Sequence, residues 1–196
     1  MRPRNVMMAT IGVSLLSLFI WACANQAKDS VEEADSANKE ERKAADSTGA
    51  YRADEATSKF LVRAANDGKA EVRMAELASG KSSRDDVKRL SAMLMEHHNQ
   101  ANERVRTLAM ERSVTLPDSL SEEKMKTYDD LSKKTGKDFD RKYVNTMIDD
   151  HQNDIKAFEE AVEKSGDDQV RSFAQNTLPL LRSHLDSLKV LKDRIR

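Results

Sequence analysis

An all-α fold, an antiparallel four-helix bundle with a short extra helix in its middle connection, is predicted by three features of this sequence. Apolar residues recur at steps of three and four along four long stretches, which gives each stretch one apolar face. Charged residues make up 34% of the chain and aromatics 5%, with six glycines and three prolines, a balance that suits long solvated helices around one modest core. No stretch shows the apolar–polar alternation of a half-buried strand. A length of 196 residues fits one domain of this kind.

The chain divides into a leader (1–22), a tether (23–50) and the bundle (51–196). Arg2 and Arg4 precede an apolar run from Val6 to Trp21, the pattern of a secretory signal. The run is about 16 residues long, short of the roughly 20 that a membrane-spanning helix needs. It leads into Ile20-Trp21-Ala22-Cys23, which resembles a bacterial lipobox. That resemblance implies lipidation at Cys23 and stable membrane attachment without a spanning helix. The alternative is an uncleaved N-terminal anchor. Ala24, where an aspartate would favour inner-membrane retention, implies the outer membrane, with the protein facing the periplasm. Cys23 is the only cysteine, so no intramolecular disulfide can form. Loss of the leader removes two arginines and no acid, leaving a net charge of about −3, which argues against nucleic acid as a partner.

Ala24 to Ala50 holds Val31 as its only bulky apolar residue, too little to fold by itself. It reads as a flexible tether, with at most a transient solvated helix over Val31–Asp46. The first bundle helix runs from near Asp54 to Ser79 and stops at Gly80, with Leu61, Ala64, Gly68, Glu71, Ala75 and Ala78 on one face. The second starts at Ser83, where Ser83 and Asp86 approximate a capping box. It ends near Arg112, and Val87, Leu90, Leu94, His98, Ala101, Val105 and Leu108 form its seam. Leu120 to Lys134 forms the short connecting helix, carrying Leu120, Tyr128 and Leu131 and stopping at Gly136. The third long helix runs from about Lys137 to Ser165, with Gly166 as its stop. Val144, Met147, Ile148, His151, Ile155, Phe158 and Val162 face inward on it. The fourth carries Val170, Phe173, Thr177, Leu181, His184, Leu188 and Leu191, and Pro179 within it removes one backbone hydrogen bond.

His98, His151 and His184 thus fall on the apolar stripes of three different helices, at a common depth when residues are counted from the helix ends. Inward placement by itself is a weak signal, since roughly three in seven positions of a bundle helix face the core. Glu71, on the fourth stripe, is offset from His98 by about 9 Å on the same count. Two readings stand side by side. In one, the histidines and Glu71 hold a single zinc, copper or iron ion, with Glu71 as fourth ligand or hydrogen-bond partner. In the other, each histidine is a core residue bonded to a carbonyl, a carboxylate or another histidine. Met95, one turn from His98, is either a soft ligand or core filler. His97 points about 100° away from His98 and reads as exposed. Asp149, Asp150 and Asp154 are either partners that orient His151 or a solvated face. Asp140 and Tyr143, one turn apart, suggest a local hydrogen bond. The Glu-x-x-His motif of di-iron bundles is missing, since Met95, Ile148 and Leu181 stand three residues before the histidines. No phosphate loop, nucleophile elbow or thiol pair is present, which leaves ordinary hydrolases and nucleotide enzymes without support.

Several of these segments together resemble a known family. They are Phe60-Leu61 through Glu71, His98 preceded by an acid or histidine, Phe139-Asp140-x-x-Tyr143, His151, and Leu178-Pro179-x-Leu181-x-x-His184. In this combination, over roughly Thr57 to Leu191, the sequence resembles the domain of unknown function 4142 family, exported bacterial proteins classed with ferritin-like bundles. The resemblance implies the fold, the exported location and Glu71, His98, His151 and His184 as signature positions, with no activity attached. Members usually carry an acid where this chain has His97. The expectation is a lipid-anchored periplasmic bundle that binds a transition metal, in metal handling or envelope stress protection rather than as a defined enzyme. The rival expectation is a metal-free envelope module that meets protein partners or the cell wall through its charged faces. An oxidoreductase using the same site is a third, and it requires an open coordination position that the sequence does not show.

Overall fold

The computed structural model describes residues 29–49 and 51–195, so the leader and Cys23 lie outside the described residues. Six helices make up the described chain: α1 (Ser30–Thr48), α2 (Glu55–Lys81), α3 (Asp85–Glu111), α4 (Glu122–Ser132), α5 (Gly136–Lys164) and α6 (Asp168–Arg194). Helices α2, α3, α5 and α6 are the four long antiparallel members, and α4 is the short helix of the middle connection. The hairpins α2–α3 and α5–α6 pack most extensively within themselves, and they join through α2 against α5 and α3 against α6. No described helix is long and apolar enough to cross a membrane.

The apolar stripes bury as two clusters stacked along the bundle axis. One gathers Phe60, Leu61, Val105, Leu108, Phe158, Val170 and Leu181. The other gathers Met74, Val87, Leu94, Phe139, Tyr143, Met147 and Leu188. On every long helix the break between the clusters falls at the same level, where Glu71, His98, His151 and His184 stand instead of hydrocarbon. Half-buried Ile155 packs against both clusters. The apolar layers thus supply the driving force and hold the polar layer at a fixed height.

Helix ends differ from expectation in informative ways. Helix α2 passes through Gly80 to Lys81, because one glycine costs only about 1 kcal/mol in a helix whose packing continues. The capping box does not form: α3 is capped at Arg84 without a side-chain hydrogen bond. Asp86 there accepts from the Val87 amide and pairs with Arg84. Gly136 does not follow a stopped helix but opens α5, at φ +54°. Ser165, not Gly166, caps α5 in an extended conformation. Gly166 serves close approach instead, since a Cβ there would lie 2.7 Å from Asp54 Oδ2. Asp54 caps α2 through the Thr57 amide and also accepts from the Gly166 amide, tying that helix start to the α5–α6 turn.

The flexible tether is corrected over residues 29–48, which form α1 and dock on the bundle. Asn38 is buried and makes paired hydrogen bonds with the Thr115 backbone, Nδ2 to the carbonyl (2.8 Å) and Oδ1 from the amide (2.7 Å). Asp29 Oδ2 accepts from the Glu122 amide, and Ser30 Oγ donates to the Ser119 carbonyl. Ala34 and Ala45 bury their small side chains. The segment has too little apolar surface to fold alone, but the α3–α4 connection offers it fixed backbone groups. Its partner is tertiary, which composition cannot reveal.

Candidate metal centre

All four histidines of the chain meet in the polar layer. The central ring is His151 of α5, fully buried, whose Nε2 lies 3.3 Å from His98 Nε2 and 3.3 Å from His184 Nδ1. One ring nitrogen from each of these three lies within 4.8 Å of the other two. The outward nitrogens have their own partners. His151 Nδ1 faces the Met147 carbonyl at 2.9 Å, one turn back on the same helix, and Glu71 Oε1 at 3.1 Å. His98 Nδ1 faces Glu71 Oε2 at 3.0 Å.

A carbonyl can only accept, so His151 Nδ1 carries a proton, and the ionised Glu71 assigns one to His98 Nδ1 in the same way. Both rings then present Nε2 to the centre. Glu71 is buried at 1% exposure. Burial pushes its carboxyl up, but His98 and His151 outweigh this and hold it down at about 2. Asp154 is pushed well above the usual carboxylate range by burial and by the nearby Glu71 and Asp67. Burial lowers His98. His184 is lowered to about 3, by burial first and then by the neighbouring imidazoles. His151 is raised, because Glu71 overcomes the cost of burying its charge. Burial thus disfavours charge on His98 and His184, while the Glu71 carboxylate favours it on His151.

The offset expected for Glu71 is smaller in the structure. Because α2 ends at Lys81 and α3 begins at Asp85, the difference shrinks by three residues, about 4.5 Å. The glutamate side chain spans the remainder. Glu71 lies on the Nδ1 side of both rings, away from the point where the three imidazoles converge. His97 is not exposed as expected. It is half-buried, and its Nδ1 stands 2.8 Å from His184 Nε2, with the two rings nearly parallel at 6°. Its 100° offset from the seam turns it towards α6, because a bundle helix faces two neighbours and its inward stripe is broad. Asp149 is exposed, and neither it, Asp150 nor Asp154 bonds directly to His151. Met95 is half-buried. The expected Asp140–Tyr143 hydrogen bond is absent; both polar atoms are buried, and Asp140 Oδ1 and the Tyr143 hydroxyl lack a hydrogen-bond partner among the described residues.

Lys124 of α4 is the residue that sequence reasoning passed over. Its ammonium reaches Asp150 at 2.8 Å and Asp67 at 3.4 Å with only 14% of the side chain exposed. Burial disfavours that charge, but Asp67 and Asp150 raise its pKa. The signal was present, since Lys124 fills the gap in the α4 stripe between Leu120 and Tyr128. A lysine on an inward stripe points to buried carboxylates opposite it.

Fold and centre together define a class: a helical bundle with a buried histidine–carboxylate layer across its middle. The family profile of the domain of unknown function DUF4142 matches residues 41–191, and the chain belongs to that family. Two solved structures share the fold. A DUF305 fragment from Deinococcus radiodurans matches with a TM-score of 0.66 at 12% identity, over 73% of this chain and 99% of that one. A protein described as a secreted DUF305 protein, from Streptomyces coelicolor, matches with a TM-score of 0.61 at 13% identity, over 71% of this chain and 92% of that one. No curated protein matches the sequence.

Proposed function

We propose that His98, His151 and His184 bind one transition metal ion at the point where their inner nitrogens converge. The observation that carries this reading is the position of His151 Nε2, 3.3 Å from a nitrogen of each neighbour, while the Nδ1 atoms of His98 and His151 are occupied by acceptors. Three inner nitrogens at this spacing form a donor set for one shared cation. With metal, a tetrahedral ion held at about 2.0–2.1 Å sets its nitrogens about 3.3 Å apart, which is the spacing of the two short contacts. Glu71 acts from beneath, fixing the ring orientation of His98 and His151 and offsetting the ion's charge, as a carboxylate behind metal-bound imidazoles does. Three nitrogens leave a further coordination position open, and zinc, copper and iron all suit imidazole donors.

The same reading places the domain in the cell envelope, exported by its leader and anchored through lipid on Cys23 in the outer membrane. The described secretion of one structural neighbour supports export. The role that fits is metal handling or envelope protection from metal or oxidative stress.

The test is metal content, by mass spectrometry, of the full chain purified without a nickel column, beside a His98→Ala, His151→Ala variant. Near-stoichiometric metal in the parent and none in the folded variant supports the centre and names the ion. Absence from both after incubation with zinc, copper and iron sinks it and leaves a structural histidine cluster. Mass analysis of the mature N-terminus from the outer-membrane fraction tests the anchor separately; an unmodified Cys23 would end that part of the proposal.

A further inference from the structure

Helix periodicity brings two sets of polar side chains face to face at the α2–α3 seam. Lys69 and Arg73 are one turn apart on α2, as are Asn102 and Arg106 on α3, so each pair shares a face. Between them lies a pocket of about 350 Å³, bounded on its third side by the α3–α4 connection at Leu116, Asp118 and Ser119. None of the four histidines lines it.

The cations of this pocket outnumber its acids, and two of them have no acid of their own. Lys69 is half-buried and donates to the Pro117 carbonyl at 2.5 Å, with no carboxylate at ion-pair distance among the described residues. Arg73 has none either; its guanidinium lies 4.9 Å over the Tyr128 ring, which positions the group without neutralising it. Arg106 meets Glu103 at 2.7 Å, an exposed pair of the kind that contributes little and rearranges readily. The remaining acid of the lining, Asp118, is exposed. A neutral donor stands beside the cations. Gly68 leaves space for the Asn102 amide to pack against α2, since a Cβ there would lie 2.0 Å from Asn102 Oδ1. Packed in this way, Asn102 makes no side-chain hydrogen bond within the described residues.

We infer that this pocket binds a phosphate ester: Lys69, Arg73 and Arg106 supply the charge, and Asn102 a neutral donor. Donors arriving from two helices suit a tetrahedral oxyanion better than a planar carboxylate, and ammonium and guanidinium groups both bond strongly to phosphate oxygens. Ala65, Val72 and Leu116 add apolar walls, which suit the carbon part of an ester.

A phospholipid headgroup and a soluble phosphate ester share this chemistry. The headgroup is favoured by the path of the chain. Ser119 on the rim accepts from Ser30 Oγ at the start of α1, so α1 begins beside the pocket. Only residues 24–28 separate Asp29 from Cys23, a span of at most about 22 Å. This preference rests on the proposed lipid anchor at Cys23, whereas the phosphate chemistry of the pocket does not.

The test titrates the full chain, at fixed ionic strength, with glycerol 3-phosphate and with dihexanoyl phosphatidylglycerol, a lipid short enough to stay monomeric. NMR shifts should saturate and centre on Lys69, Asn102, Arg106 and Ser119. Lys69→Gln and Arg106→Gln should each weaken binding about tenfold, the scale of one hydrogen bond to a charged group. Gly68→Ala keeps every charge but displaces the Asn102 amide, and it should weaken binding as well. Lys189→Gln, at an exposed lysine of α6, should leave it unchanged. Unfolding midpoints establish that the variants remain folded. Tighter binding of the short-chain lipid assigns the pocket to headgroups, and tighter binding of glycerol 3-phosphate assigns it to soluble esters. Shifts that fail to saturate, that sodium chloride reproduces, or that survive in folded Lys69→Gln and Arg106→Gln overturn the site. Metal plays no part in these readouts, so the pocket and the histidine centre stand or fall separately.

Discussion

Glu71 Oε2 meets His98 Nδ1 at 3.0 Å across the α2–α3 hairpin, while its second oxygen lies 3.1 Å from His151 Nδ1 on α5. One carboxylate therefore lies against two rings on two different helices. Replacing it with glutamine keeps the shape but puts an amide NH₂ against an N–H donor. Glu71→Gln should cost about 1–3 kcal/mol in urea unfolding, the penalty of a buried donor left without an acceptor. It should also weaken zinc by about 10–100-fold in calorimetric titration. Unchanged zinc affinity in a folded variant would remove Glu71 from the centre.

Lys124 is the counter-charge to Asp67 and Asp150 beneath the polar layer. Lys124→Met strips the cation and leaves the carboxylates buried, with an expected loss of about 3–5 kcal/mol. Adding Asp150→Asn should recover part of that loss, because the stranded charge goes with it. Chemical unfolding of the single and double variants measures both steps, and additive losses would show that the pair is not coupled.

The Arg112 guanidinium grips Asp167 with two hydrogen bonds of 2.8 Å, joining the end of α3 to the start of α6. Asp167 also caps α6 through the Gln169 and Val170 amides. These donors, Arg112 foremost, hold its carboxyl down at about 2 against an ordinary 3.8. A carboxyl lowered by folding stabilises the protein above its unfolded pKa and loses that contribution as pH falls through the folded one. Stability should therefore decline from about pH 4 towards pH 2, and Asp167→Asn should show a shallower decline over that window. Urea midpoints measured at pH 5, 4, 3 and 2 for both proteins check the prediction.

Asn38 holds α1 against the bundle through the two Thr115 hydrogen bonds. Asn38→Ala should cost about 1–3 kcal/mol, since it strands a backbone donor and acceptor in a half-covered seam. Amide exchange at Thr115 should accelerate with it. An unaltered exchange rate would mean that water replaces the side chain freely.

Much of the bundle was legible because helix periodicity is a local property. Val87, Leu90, Leu94 and Leu108 on α3 declare their face without reference to any partner. Helix stops were read less well at Gly80 and Gly166, because a glycine answers to packing as well as to backbone freedom. The same limit explains α1. Its docking depends on Asn38 finding Thr115, a hydrogen bond between segments far apart in the chain. His98, His151 and His184 were legible as a level set because each sits on its own stripe. His97 was misread because one seam was assigned to a helix that faces both α2 and α6.

Composition and periodicity by themselves determined the all-α class, the four long helices and the three inward histidines, since these follow from which residues repeat along one chain. Tertiary packing decided the rest. It brought Glu71 to the Nδ1 side of two imidazoles, set Lys124 among buried carboxylates, and paired His97 with His184. Hydrogen bonds act over about 3 Å between groups whose relative height depends on helix ends and loop lengths. A shift of one residue moves a side chain by about 1.5 Å along the helix and turns it by about 100°. The stripe survives small errors of that kind, but the site does not.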